Sequence, residues 1–295
     1  MPSDVSAVLL TMGETTTERA LASIERQTLH PAETIVVEGV TPFSAAIAAA
    51  VERVRTPYFV QVDADMILDD TCFERLRRGM SDGVAIACGG LRDPLLGTIG
   101  AVKLFRRECF ELVSMPASVS PDVDFWRALQ SRGWLTLFVL TGDASLHTFG
   151  EHRPDWNSEQ TYATYHLLGC RYRRLRNRGG TLWRLGALRR SRHPLSTLAR
   201  YALCTGLFYE ETRDVAKSSV PIDRPLVEAL AGAPTMPPGA DTADDDWFGV
   251  GRSLGERRAY EQLVRHLRGL AGTSIRATWG TEVSLCFGFD CGARS

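Results

Sequence analysis

The chain has 295 residues, 44% of them hydrophobic, and its 34 Lys and Arg nearly balance 35 Asp and Glu, for a formal net charge of -1. That composition fits a soluble, enzyme-sized chain folded as one large domain, or as one domain with a smaller appendage. It excludes a membrane-spanning protein, because no apolar run approaches about 18 residues; with no charged-then-apolar opening, a cytoplasmic location is expected.

Residues 5–10 read as a buried first strand, and residues 15–27 as a helix with Ala20, Leu21 and Ile24 on one face. Residues 34–38 form a second strand, residues 44–54 an Ala-rich helix stopped before Pro57, and residues 58–62 a third strand. Strand, helix, strand, helix, strand within sixty-five residues implies right-handed crossovers and a parallel, Rossmann-like sheet. The first turn, residues 11–15, lacks the Gly-x-Gly-x-x-Gly that cradles a dinucleotide, and no Walker-type loop occurs. A bound nucleotide would therefore be held through a metal.

The third strand runs into Asp63-Ala64-Asp65. Residues two apart in a strand share a face, so both carboxylates are expected to project from the carboxyl edge of the sheet, where α/β proteins place ligands. Two anions side by side stay ionised cheaply only with a cation between them, and hard oxygen ligands suit Mg²⁺ or Mn²⁺ carrying a phosphate. With 18 Asp in the chain, one such triple is expected by composition alone. Its position sets it apart: it follows a strand, precedes the apolar residues 66–68, and a helical run starts at Asp70.

Further along, Asp122 and Asp124 open a helix at residues 125–129, where a carboxylate serves equally as a cap. Residues 97–100 read as a glycine-flanked turn, and residues 135–140 as a strand followed by His147 and His152 in a loop. The seven Cys are odd in number and scattered, which favours reduced packing residues over a disulfide framework. Cys286 and Cys291 lack the further ligands of a zinc site.

Residues 160–209 contain ten Arg and no Asp or Glu. Either an anionic partner meets residues 171–200, as a membrane surface, a phosphate-rich polymer or nucleic acid would, or the balancing acids come from elsewhere in the fold. Residues 231–246 read as a linker, residues 252–270 as a last helix, and residues near 282–286 as strand.

Over about residues 4–150 the chain resembles the family 2 glycosyltransferases with the GT-A fold. The resemblance is carried by Ala22-Ser-Ile-Glu-Arg-Gln-Thr28, Pro31-Ala-Glu-Thr-Ile-Val-Val-Glu38, Tyr58-Phe-Val-Gln-Val-Asp-Ala-Asp65, Pro121-Asp-Val-Asp-Phe-Trp126 and Arg132-Gly-Trp134, in that order. It implies a mostly parallel central sheet flanked by helices over residues 1–154, an Arg-rich helical region over 155–230, the linker over 231–246 and a C-terminal helix and tail over 247–295. It also implies Asp63, Asp65 and His147 as ligands of Mn²⁺ or Mg²⁺, and Thr11, Glu14, Glu38 and Asp63 as contacts of the donor nucleotide. Asp122 stands at the family's catalytic base, and Gly100, Asp124 and Trp126 at its sugar and acceptor positions. Two departures stand out. Pro121 replaces the family's Glu, and residues 41–46 lack its Gly-rich and Ala-Arg-Asn pattern.

The function the resemblance implies is metal-dependent transfer of a sugar from a nucleotide-diphosphate sugar, with a UDP-sugar the first choice, to an acceptor hydroxyl with inversion. Asp122 would accept the acceptor's proton. Two other classes compete: a non-catalytic GT-A-like module docking an anionic surface, including the inner face of a membrane, and a metal-dependent nucleotidyltransferase, which would release pyrophosphate.

Overall fold

The computed structural model describes residues 3–140, 147–209, 211 and 213–232, with the backbones of two further strands at 273–278 and 283–289. The linker beyond residue 232 and the helix expected at 252–270 lie outside the described residues.

The first half follows the expected alternation: β1 (Val5–Thr11), α1 (Thr17–Glu25), β2 (Thr34–Glu38), α2 (Phe43–Arg53), β3 (Tyr58–Asp63), β4 (Met66–Leu68) and α3 (Cys72–Arg78). There follow β5 (Val84–Asp93), β6 (Gly97–Arg106), α4 (Cys109–Leu112), α5 (Pro121–Gln130), β7 (Leu135–Leu140) and β8 (Thr148–His152). The remaining helices are α6 (Ser158–Leu175), α7 (Arg178–Arg190), α8 (Ser196–Gly206) and α9 (Arg224–Ala231), with a 3₁₀ turn at Lys217–Ser219. Two tail strands, β9 (Thr273–Thr278) and β10 (Val283–Phe289), come last.

The strands join in the order β2-β1-β3-β6-β5-β7-β10-β9, and β8 links β4 to β5. β1 is parallel to both β2 and β3, as the two crossovers require. The sheet as a whole is mixed rather than mostly parallel, because β6 runs antiparallel to β3 and to β5. Only three residues connect β5 to β6, too few for a crossover, so the pair must form a hairpin. The glycine-flanked turn expected at residues 97–100 is thus the start of β6, with Gly100 opposite Gly90.

Both faces of the sheet are covered. One carries Leu9, Val60, Val62 and Leu104 under Ala20 and Ile24 of α1 and Phe73 and Leu76 of α3. The other carries Val8, Leu10, Phe59 and Phe105 under Ile47 and Ala50 of α2 and Phe125 and Leu129 of α5. Phe125 stacks on Phe110 at 4.5 Å and meets Phe105 edge-on at 6.2 Å, which fixes the start of α5 against the sheet.

The Arg-rich helices rest on the β5–β6 hairpin, whose Leu95 and Leu96 share a core with Tyr165, Tyr172, Leu188, Ala199 and Leu203. Helix α6 starts at a capping box in which Asn157 accepts from the Gln160 amide at 2.8 Å and Gln160 accepts from the Asn157 amide at 3.0 Å. Acids missing from this stretch come from another element: Asp122 of α5 lies 3.5 Å from Arg171 and Asp124 2.7 Å from Arg174.

β8 is held tightly against β4. Gly150, at φ 143°, pairs with Leu68, and a Cβ there would stand 2.2 Å from the Ile67 carbonyl oxygen. Gly150→Ala should therefore cost about 1–3 kcal/mol or more and lower Tm, because neither the backbone conformation nor the space admits a methyl group. A melting temperature equal to that of the parent chain would contradict this packing.

Candidate active site

Parallel pairing of β1, β2 and β3 brings Thr11, Glu38 and Asp63 to one edge. The β1–α1 loop is knit by its own side chains. Thr11 donates to Glu14 at 2.9 Å, the Met12 amide donates to Glu14 at 2.7 Å, and the Gly13 amide donates to Thr11 at 2.9 Å. Glu14 is thereby turned back towards the strand ends. Glu38 stands exposed at the end of β2, in register with Thr11.

Asp63 accepts a hydrogen bond from Gln61 at 2.6 Å. Burial, reinforced by the neighbouring Asp65 charge, pushes its carboxyl from 3.8 to about 6. Asp65 lies in the turn after β3 with its Oδ2 3.1 Å from His152 Nε2. Burial would raise this carboxyl too, but the bond and charge of His152 outweigh it and leave it lowered. The other ring nitrogen of His152, Nδ1, lies 2.6 Å from Asp93 Oδ2. Burial alone would depress the imidazole, yet two carboxylates raise it to about 9, so both ring nitrogens donate and the ring is an imidazolium at neutral pH. Asp93 also shapes the hairpin, since its Oδ1 accepts from the Leu95 and Leu96 amides, both at 2.8 Å, and so closes the β5–β6 turn.

The expectation for His147 is corrected by this geometry. His147 precedes β8 while His152 ends it, and β8 runs antiparallel to β4, so Met66, next to Asp65, pairs with His152. His147 is carried to the far end, with its Nε2 2.7 Å from Arg75 and its ring 4.6 Å from Phe149. The imidazole at the acids is His152.

Lys103 of β6 sits opposite Gln61 and joins the two acidic motifs. Its charge reaches Asp63, and its Nζ is 3.7 Å from Asp122. Asp122 is the second residue of α5, and Arg171 of α6 approaches it at 3.5 Å. Burial would raise its carboxyl, but Arg171 and Lys103 outweigh burial and hold it lowered. Its Oδ1 is buried without a hydrogen-bond partner and is the oxygen that Arg171 approaches, while the backbone amides of Asp122 and Val123 add a smaller lowering of the carboxyl. Asp124 is more fully engaged, by Arg174 at 2.7 Å and by the Ser118 hydroxyl, and serves to tie α5 to α6. Trp126 meets Phe138 edge-on at 6.0 Å and keeps a buried, unpartnered indole N–H, whereas Gly100 is exposed on β6.

Three residues distant in sequence complete the site and were not legible as site residues beforehand: Asp93, Trp156 and Lys217. The Trp156 ring meets His152 edge-on at 5.5 Å, and Lys217 Nζ lies 4.4 Å from the centre of that ring. One signal for the lysine was present. Of 34 Lys and Arg residues only Lys103 and Lys217 are lysines, and both stand at this cluster. A compact ammonium is the point charge that guanidinium cannot imitate.

Among the described residues no group of three or more His, Cys, Asp and Glu is arranged to hold a metal by itself. The acids present fit a different mode, in which a divalent ion is held by one or two carboxylates and by substrate phosphates. Asp65 Oδ1 is buried without a hydrogen-bond partner, and burial and the Asp65 charge together raise the cost of ionising Asp63, a cost that a divalent cation relieves.

No family model and no curated protein matches the chain. Among solved structures it is similar to the mannosyltransferase PcManGT from Pyrobaculum calidifontis, in complex with GDP-Man and Mn²⁺: 12% identity, 92% of this chain and 90% of that one, TM-score 0.45. It is also similar to glucosyl-3-phosphoglycerate synthase from Mycobacterium tuberculosis, in complex with Mg²⁺ and UDP, at 14% identity over 56% of this chain and 77% of that one, TM-score 0.37. A mycobacterial protein matches at 18% identity over 56% and 72%, TM-score 0.40. All three likenesses are distant.

A carboxyl held near 6 in the native state and at 3.8 when unfolded keeps its proton longer in the folded chain, so Asp63 withdraws stability as pH rises from about 4 to 6. Without metal, Asp63→Asn should accordingly raise stability above pH 6 by on the order of 3 kcal/mol and change little below pH 4. Melting temperatures of both chains in EDTA across that range check this. A variant less stable than the parent at pH 7 would contradict it.

Proposed function

We propose that the chain is a GT-A glycosyltransferase, dependent on a divalent metal, that moves a sugar from a nucleotide-diphosphate sugar to an acceptor hydroxyl with inversion. One observation carries the reading: Lys103 lies 3.7 Å from Asp122 while its charge also reaches Asp63, which in turn feels Asp65, so one cation links the acidic pair to the third acid. The resemblance over residues 4–150 agrees with it.

Asp63 and Asp65 would hold the ion, which when bound neutralises charge building on the departing nucleoside diphosphate. His152, fixed by Asp93, keeps Asp65 ionised and oriented. Thr11, Glu14 and Glu38 border the strand ends where the nucleoside would lie. The acceptor oxygen attacks the anomeric carbon as the bond from that carbon to the diphosphate oxygen breaks, and Asp122 takes the acceptor's proton. Arg171 and Lys103 depress the basicity of Asp122. A diphosphate competing for Lys103 would release the burial effect and raise it, so donor binding would prepare the base. Arg176, Arg189 and Arg190 are exposed on the helical layer and offer an anionic acceptor, or the surface that bears it, a basic approach. Among the described residues no helix is long and apolar enough to cross a membrane.

The reading predicts Mn²⁺- or Mg²⁺-dependent release of a nucleoside diphosphate from a nucleotide sugar, abolished by EDTA and by Asp65→Asn. Pyrophosphate release would identify a nucleotidyltransferase instead, and no turnover with any donor would leave a docking module. Asp122→Asn should lower kcat by about 10²–10⁴-fold with donor affinity within a few-fold of the parent. Unchanged kcat would remove Asp122 from the role of base.

A further inference from the structure

Residues 213–219, between α8 and α9, form a strap tied to the loop before α5, to the start of α2 and to Trp156. Arg213 forms an isolated β-bridge with Ser118 in the loop before α5. One residue on, the Asp214 carboxylate accepts from the Ser44 amide at 2.8 Å, at the N-terminal end of α2. The strap then reaches Lys217, whose ammonium lies 4.4 Å from the centre of the Trp156 ring, and buries Val220 on its way to α9. Trp156 in turn abuts His152, the partner of Asp65. Three attachments, at Ser118, Ser44 and Trp156, thus hold the lysine at the ring that abuts His152, where the charges of Asp65 and Asp63 reach it.

We propose that Lys217 is a diphosphate-binding residue that doubles as a stand-in cation, neutralising Asp63 and Asp65 while the site is empty and turning to the phosphates when metal and nucleotide enter together. The inference rests on the glycosyltransferase reading and adds to it an order of binding. A divalent ion arriving alone meets a place that Lys217 has already neutralised and is resisted. When it arrives with a diphosphate, new negative charge is available to the ammonium, and the strap at residues 213–219 becomes the roof of the donor site. Burial lowers the Lys217 ammonium, and Asp65, Asp63 and Glu14, in that order, oppose the fall, so the three carboxylates interact with its charge. Cation–π contact with Trp156 anchors the side chain without engaging its N–H donors, which stay available for phosphate oxygens.

The test is calorimetric titration of the full chain and of Lys217→Met with Mn²⁺ alone, and with UDP and GDP in the presence of Mn²⁺. Loss of the ammonium should move the two affinities in opposite directions. Mn²⁺ alone should bind a few-fold more tightly, and the better of the two nucleotides about ten- to a hundredfold more weakly, the worth of one charge-assisted hydrogen bond. Lys217→Arg, which keeps the charge, should retain most of the nucleotide affinity. Equal affinities in the parent and Lys217→Met, or a fall in both, would overturn the proposal while leaving the transferase reading standing. If the parent binds neither nucleotide with Mn²⁺, both fall.

Discussion

Everything in this structure that bears on function follows from the cost of placing two carboxylates together at the end of one strand. Asp63 and Asp65 are desolvated by the layers that cover the sheet and repel each other, and the fold answers by bringing positive charge from several directions. Lys103 comes from β6, His152 from β8 and Lys217 from the strap. An imidazolium and an ammonium can neutralise such a pair without filling the position of a metal that carries phosphates. Structural cores seldom retain so many charges at one place, because each ion taken from water costs several kcal/mol unless paired. A concentration of perturbed groups at a sheet edge is the signature of a site.

The scaffold explains how residues so far apart in sequence meet. The β5–β6 hairpin is the central device: its turn is closed by Asp93, the same residue that orients His152, and its Leu95 and Leu96 seat the helical layer. Helix α6 can then present Arg171 to Asp122 and Arg174 to Asp124. The helical region is therefore coupled to the acids of the α/β layer by ion pairs and by shared core.

Much of the first sixty-five residues was legible, since long apolar runs broken by turn residues specify β1, β2, β3 and their helices almost to the residue. Asp63 and Asp65 were legible for the same reason. His152 was misjudged in favour of His147 because the distinction depends on the register of β8 against β4, a pairing between segments some 85 residues apart that no local pattern reveals. The antiparallel β6 was hidden by reading residues 97–100 as a loop, although three residues between strands permit only a hairpin. The absence of acids from residues 160–209 was visible. Its resolution was only partly so, because Asp122 and Asp124 are partners supplied by tertiary structure. Lys217 could have been found only by noticing how rare lysine is in this chain.

The most direct test of the account is anomalous diffraction at the manganese edge from crystals soaked with Mn²⁺ and UDP or GDP. The account predicts one manganese peak between the Asp63 and Asp65 carboxylates and the diphosphate, with Lys217 beside the phosphates and Asp122 facing the open side of the same pocket. A diphosphate bound away from the carboxyl end of β3, or a manganese site that does not include Asp65, would contradict it.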